Sequence, residues 1–454
     1  MIAPATTRVA SDSGLSGLGL IMQLVGGIMT AFIGVYGMFM VLAFLMAGSG
    51  SGMPGMLLLF VVAIVGTSLA RSIMHTTAGR RLIYDGPRTP LSALKRYFTI
   101  SMVHTGVVAI GLLANNVPAK IAAASVLLLA AWPIALMLVA RPKIAAFGDV
   151  VPMADDKGFD GAAILLLIFG SIGAGIGIIL VLGWLEAPGH IKSSLFGICL
   201  LASSVMLAIR SVLQLRAGIR GTKAKHMAET AEAAEKYAGF GILASFVAGG
   251  ALFVATISLS SGRGAGGAIF AGLLMIAMFT WVLMVWPLIV RKFFGDRQFA
   301  TLMDERGSGA QDSSDRGLPT LGWLLLAFGT FALAQGLMAV LMGGMVDDDG
   351  AMGRGDNPMT KMMAMLGTGD AKSPWVAVAV AALQIWAGVE LIRMTPRYKL
   401  AGMIFGVVAT GVALWVYLPL FGNMMSSGAS VATNPLAGVG FAMVAMSLVV
   451  PIAT

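Results

Sequence analysis

Few side chains in this sequence could do chemistry, and each of them stands among apolar neighbours. Glu390, in Trp386-Ala387-Gly388-Val389-Glu390-Leu391-Ile392-Arg393, is the one acidic residue that falls inside or at the edge of an apolar run, with Gln384 six positions before it. A carboxylate there is a candidate proton or cation site, because its ionised form is costly in hydrocarbon. The plainer reading is an i,i+3 ion pair with Arg393 at a membrane rim, and the sequence favours it. His104, set among Thr99, Ser101 and Thr105, could relay a proton near neutral pH or simply tie two helices together, and the second is the commoner role. Pro133 and Pro287 stand inside apolar runs, each preceded by a tryptophan. A proline in such a run frees a carbonyl one turn back and kinks the helix. Breaks of this kind often line transport paths, although an architectural role is favoured here.

One polar stretch carries a different chemistry. Between Met342 and Lys372 lie Met359, Met362, Met363 and Met365, with Asp347-Asp348-Asp349 upstream. Clustered thioethers suit Cu(I). A methionine-rich helix lying flat on the bilayer explains the same residues, and the chain holds 32 methionines overall.

No HExxH, no paired intramembrane aspartates and no phosphate-cradling glycine loop are present, so no enzyme and no cofactor is expected. One cysteine, Cys199, excludes an internal disulfide and a zinc pattern. Four scattered histidines do not make a haem bundle.

The elements that must hold these residues are membrane helices. Of 454 residues 58% are hydrophobic and 11% charged, against about 25% charged in soluble domains. Runs of about 20 apolar residues recur, each enough to cross a hydrocarbon core. The apolar stretch near the N-terminus is too long for a signal peptide, and it is expected to remain as the first span. The sequence predicts an all-α polytopic membrane protein with about 12 transmembrane helices, arranged as three parallel four-helix repeats.

Two landmarks mark the repeats. The first is the closing proline helix, at Trp132-Pro133, Trp286-Pro287 and Val450-Pro451. The second is an arginine ending each even span, at Arg71-Ser72, Arg210-Ser211 and Arg393-Met394. The units run over 1–147, 161–303 and 318–454, with polar linkers at 148–160 and 304–317. With even numbers of spans per unit, the N-terminus and the loops after even spans share one side, which holds 24 of the 30 Lys and Arg, Arg71 and Arg210 counted as loop residues. That side is therefore cytoplasmic, both termini included. Ala228 to Lys236 is a strong helix former and is expected to extend the seventh span into the cytoplasm.

The +9 formal charge is a topology signal, and no nucleic-acid partner is expected. Gly79-Arg80-Arg81 resembles the basic loop of the major facilitator superfamily. The motif's preceding aspartate is absent, and that family divides six plus six rather than in fours.

The expected function is a transporter or permease for a small solute or ion in a bacterial inner (plasma) membrane. The alternative is a non-transporting scaffold or subunit of a membrane complex. The lipid bilayer, the solute and other membrane proteins are the expected partners.

Overall fold

The computed structural model describes residues 14–51, 55–84, 88–114, 117–147, 158–186, 189–222, 227–259, 265–295, 317–348 and 374–426. The span expected at Leu436–Ile452, with Pro451, and the methionines Met359, Met362, Met363 and Met365 lie outside these residues.

Eleven long helices make up almost all of the described chain, and no strand occurs among the described residues. They are α1 (Leu15–Ser51), α2 (Gly55–Ile83), α3 (Pro90–Ala114), α4 (Ala119–Phe147), α5 (Gly158–Glu186) and α6 (Leu195–Thr222). Then follow α7 (Met227–Leu259), α8 (Ala265–Phe294), α9 (Leu318–Asp348), α10 (Pro374–Arg393) and α11 (Tyr398–Ser426). Ten are long and apolar enough to cross a bilayer, and α11 carries a shorter apolar stretch, Tyr398–Val412. At most 44% of the most apolar window of any of the ten is buried within the protein. Leu138 at 71% exposure and Val407 at 74% need an apolar solvent around them. The protein is an integral membrane protein with many passes.

The core gathers where three helices begin together. Gly17 of α1, Gly161 of α5 and Thr320 of α9 meet at one point: a Cβ on either glycine would fall within 2.4 Å of the Thr320 hydroxyl. Two glycines thus make room for one threonine, and the three helices close on each other without a gap. Gly14 and Gly317 precede α1 and α9 in the left-handed region, at φ 68° and 70°, where a residue with a Cβ is strained. Leu18, Leu166, Leu324 and Trp323 are buried just beyond.

Each of these helices then forms a hairpin with the next long one. Gly26, Gly170 and Gly329 stand at the same spacing from Gly17, Gly161 and Thr320. A Cβ on them would meet the backbone N of Thr76, Leu215 and Ile385, at 2.8, 2.8 and 3.1 Å. Gly79, Gly218 and Gly388 return the contact against the backbone N of Gln23, Leu167 and Leu326, at 2.9, 2.5 and 2.9 Å. Backbones this close are what small residues permit between membrane helices.

Helices α4 and α8 reach across to other hairpins. α4 packs on α9, and α8 packs on α1, where Trp281 Nε1 donates to the Gly27 carbonyl at 3.2 Å. Lys143 Nζ, near the end of α4, donates to the Ile392 carbonyl at 2.5 Å and so caps the last turn of α10.

Two sequence expectations change. The helices α2 and α6 do not end at their arginines: Arg71 and Arg210 each lie twelve residues before the helix end, at Ile83 and Thr222. Twelve residues are about 18 Å of helix, so both arginines stand inside the stretches Leu58–Ile83 and Gly197–Thr222, which are long and apolar enough to cross a bilayer, and not in a basic loop. The shared glycine contacts also shift the third landmark. Counting back from Gly79, Gly218 and Gly388 by equal steps gives Arg71, Arg210 and Val380, so Arg393 is not their counterpart. Arg393 instead closes its helix five residues after Gly388, where α2 and α6 end four residues after Gly79 and Gly218. The expected extension at Ala228–Lys236 is helical in α7; Glu229, Glu232, Glu235 and Lys236 are exposed, with Lys236 paired to Glu232 at 2.5 Å, while Thr230, Ala233 and Ala234 are buried.

Candidate functional site

Arg71 stands where α2 meets α3 and α4. Pro133 has no N–H, so the carbonyl of Leu129, one turn back in α4, loses its helical donor. Arg71 Nη2 supplies that donor at 2.8 Å. Tyr97 of α3 stands beside the same guanidinium. Trp132, beside the proline, donates from Nε1 to His75 Nε2 at 3.0 Å. With that nitrogen accepting, the His75 proton lies on Nδ1 and the ring is neutral. His75 packs against the Tyr97 ring, centroids 4.7 Å apart. Arg71, His75, Tyr97 and Trp132 therefore form one station across three helices.

The same station recurs at α6, α7 and α8. Arg210 donates to Ser245 Oγ at 3.4 Å, with Tyr237 beside it. Gln214, one turn after Arg210, occupies the place of His75. Its amide is assigned by its surroundings. With nitrogen toward Tyr237 it donates to the hydroxyl at 3.0 Å, and its oxygen accepts from Trp286 Nε1 at 3.0 Å. Trp286 meets Phe169 of α5 edge-on, at 5.2 Å between centroids. Pro287 packs over Gly241 beside the guanidinium; a Cβ on that glycine would lie 2.8 Å from the proline ring and 3.7 Å from Arg210 Nε. Pro287 removes the helical donor from the Leu283 carbonyl as Pro133 does from Leu129.

No carboxylate pairs with either guanidinium among the described residues. Holding a charge near the centre of a bilayer costs about 2.5–3.5 kcal/mol on insertion scales. The hydroxyl and carbonyl partners offset part of that, since a hydrogen bond to a charged group contributes about 1.5–3 kcal/mol.

The predicted site residues divide accordingly. Pro133 and Pro287 belong to the two stations, as the source of a freed carbonyl. His104 lies on α3, about two helix turns from Tyr97, and is 4% exposed. Its Nδ1 is 2.9 Å from Thr67 Oγ1, whose own proton goes to the Ala63 carbonyl at 2.7 Å, so His104 Nδ1 donates. Its Nε2, 3.2 Å from Ser68 Oγ, is left to accept. Both nitrogens are engaged in tying α3 to α2. Glu390 lies away from both stations, in the last turn of α10. Its carboxylate accepts from the Thr395 hydroxyl just past the helix end, and not from Arg393. Gln384 falls on α10 where His75 and Gln214 fall on their helices, and its Cγ lies 3.3 Å from the Cβ position of Gly329.

Arg71, Arg210, Tyr97, Tyr237, His75 and Gln214 were missed as site residues. Two signals in the sequence could have found them: Arg71 precedes Gly79 by the spacing at which Arg210 precedes Gly218, and each set includes a Trp-Pro pair. No group of three or more His, Cys, Asp or Glu that could hold a metal occurs among the described residues. A cavity between α4 and α9 is lined by Leu127, Ala131, Ile134, Leu138, Thr330 and Leu337, an almost wholly apolar wall.

No family model matches the chain, and no curated protein or solved structure does either.

Proposed function

We propose that the protein is a transporter or permease for a small solute or ion, built as three parallel four-helix units with both termini on the cytoplasmic side of a bacterial inner membrane. The observation that carries this reading is the pair of mid-span guanidinium stations, set against the hairpin that lacks one. The α9/α10 hairpin packs with the same glycine contacts as the other two and has Val380 at the arginine position. Close hairpin packing therefore does not require the charge, and a charge kept at that depth is by default a functional feature. Guanidinium groups that donate to a carbonyl and a hydroxyl, with no carboxylate beside them among the described residues, favour solutes bearing a carbonyl, carboxylate or other acceptor group.

The test is volume recovery of proteoliposomes shrunk in glycerol, glycine, lysine hydrochloride or potassium glutamate with valinomycin. At least one probe is expected to enter faster than into protein-free vesicles, and to do so more slowly when Arg71 and Arg210 are both replaced by Gln. Entry no faster than into protein-free vesicles for every probe would favour a scaffold. The junction of Gly17, Gly161 and Thr320 supports that second reading, because it packs the starts of the three first helices directly against one another.

A further inference from the structure

The three first helices are unequally covered. α1 is flanked by α8, which presses Val285 onto Gly27. α9 is flanked by α4, whose Leu127, Ala131, Ile134 and Leu138 face Thr330, Leu333, Ala334 and Leu337. On α5 the corresponding face is Ser171, Ala174, Gly175 and Ile178. There Gly175 has nothing within 4 Å of its Cβ position and Ile178 is 58% exposed, whereas Ala334, the counterpart of Gly175, is 1% exposed. Gly170, Gly173 and Gly177 of the same helix are turned the other way, onto Leu215, Ser211 and Ala208 of α6. The open face is thus distinct from the hairpin contact.

The helices that cover α1 and α9 are the fourth of the second unit and the fourth of the first. The one left to cover α5 is the fourth of the third. The described residues end at Ser426, and the 28 that follow include the apolar run Leu436–Ile452 with its Val449-Val450-Pro451 signature. Placing Pro451 in register with Pro133 and Pro287 puts Val449 where Ala131 and Val285 stand, and Ala445 where Leu127 and Trp281 stand. We infer that the segment Leu436–Ile452 docks on the Ser171–Ile178 face of α5, with Val449 against Ser171, and closes a ring in which every unit's last helix clasps another unit's first. The inference rests on the three-unit reading and is independent of whether the protein transports anything.

A disulfide tests the contact. The Cβ position at Gly27 lies 3.9 Å from Val285 Cβ, within the span that a disulfide bridges. In a Cys199→Ala background of the full chain, Ser171→Cys with Val449→Cys should oxidise within one chain to the extent shown by Gly27→Cys with Val285→Cys. Non-reducing gels and mass spectrometry of the linked peptides read the bond. A bond in the reference pair with none in the test pair overturns the inference, as does a bond between two chains. As a second readout that needs only one substitution, Ser171→Cys alone should react with a membrane-permeant maleimide at least ~tenfold more slowly in the full chain than in a chain stopped after Ser426, since burial restricts thiol access. Equal rates overturn it as well. Failure of both readouts would leave the flux assays on Arg71 and Arg210 untouched, so the two readings fail separately.

Discussion

The Arg71 and Arg210 stations use one plan with different middles. Both place an arginine mid-helix, a tyrosine beside it, and an indole N–H on the residue one turn further along. In the first that residue is His75, bonded by Trp132 at 3.0 Å; in the second it is Gln214, bonded by Trp286 at 3.0 Å. Histidine and glutamine share little beyond an acceptor and a donor a few ångströms apart. What both stations retain is therefore a neutral linker between indole and tyrosine, and a fixed cation behind it. A titrating group is not part of the common plan. The α9/α10 hairpin extends the lesson. With Val380 in place of arginine it still closes Gly322 and Gly329 onto Gly388 and Ile385.

The comparison breaks first on glycine. Gly170→Val would drive its side chain into the backbone of Leu215, and it should destabilise the α5/α6 hairpin by about 1–3 kcal/mol or prevent assembly. Gly250→Val, on an exposed stretch of α7 with nothing within 4 Å of the Cβ position, should cost far less. Thermal unfolding in detergent, read as loss of the monodisperse peak, separates the two. Similar losses would mean that the glycine contacts do not define the hairpins.

Next in size is the coupling of Arg71 to Pro133. Pro133→Ala restores an N–H for the Leu129 carbonyl. Arg71→Gln should then cost about 1–2 kcal/mol less in the Pro133→Ala background than alone, as coupled neighbours do. Additive costs would mean that Arg71 does not serve the freed carbonyl. His75→Gln, which gives the first station the middle of the second, should change stability by less than about 1 kcal/mol, because Trp132 keeps an acceptor. It should also leave any solute flux, and its pH dependence between pH 6 and 8, unchanged. A flux that loses its pH dependence in this variant would show that His75 titrates during function.

Much of the architecture could be read from the sequence because long apolar runs report membrane helices almost directly. The Trp-Pro pairs were visible as repeated marks. Depth was harder. An arginine followed by further basic residues resembles the end of a span, and only the length of helix beyond Arg71 and Arg210 shows that it is not. Glu390 drew notice as an intramembrane carboxylate, yet α10 ends three residues later and Thr395 caps it. His104 looked titratable because its partners on α2 could not be known from sequence distance. Gln384 was named for its nearness to Glu390, while its place on the helix pairs it instead with Gln214 and His75.

The most direct measurement is solute flux in proteoliposomes carrying Arg71→Gln with Arg210→Gln, set beside Val380→Ala and with thermal stability recorded for each. Loss of flux by at least ~tenfold in the arginine variant, equivalent to about 1.4 kcal/mol, is expected while its fold persists and Val380→Ala stays at the wild-type rate. Wild-type flux in the double arginine variant would show that the two stations are structural clasps and that the path, if one exists, lies elsewhere.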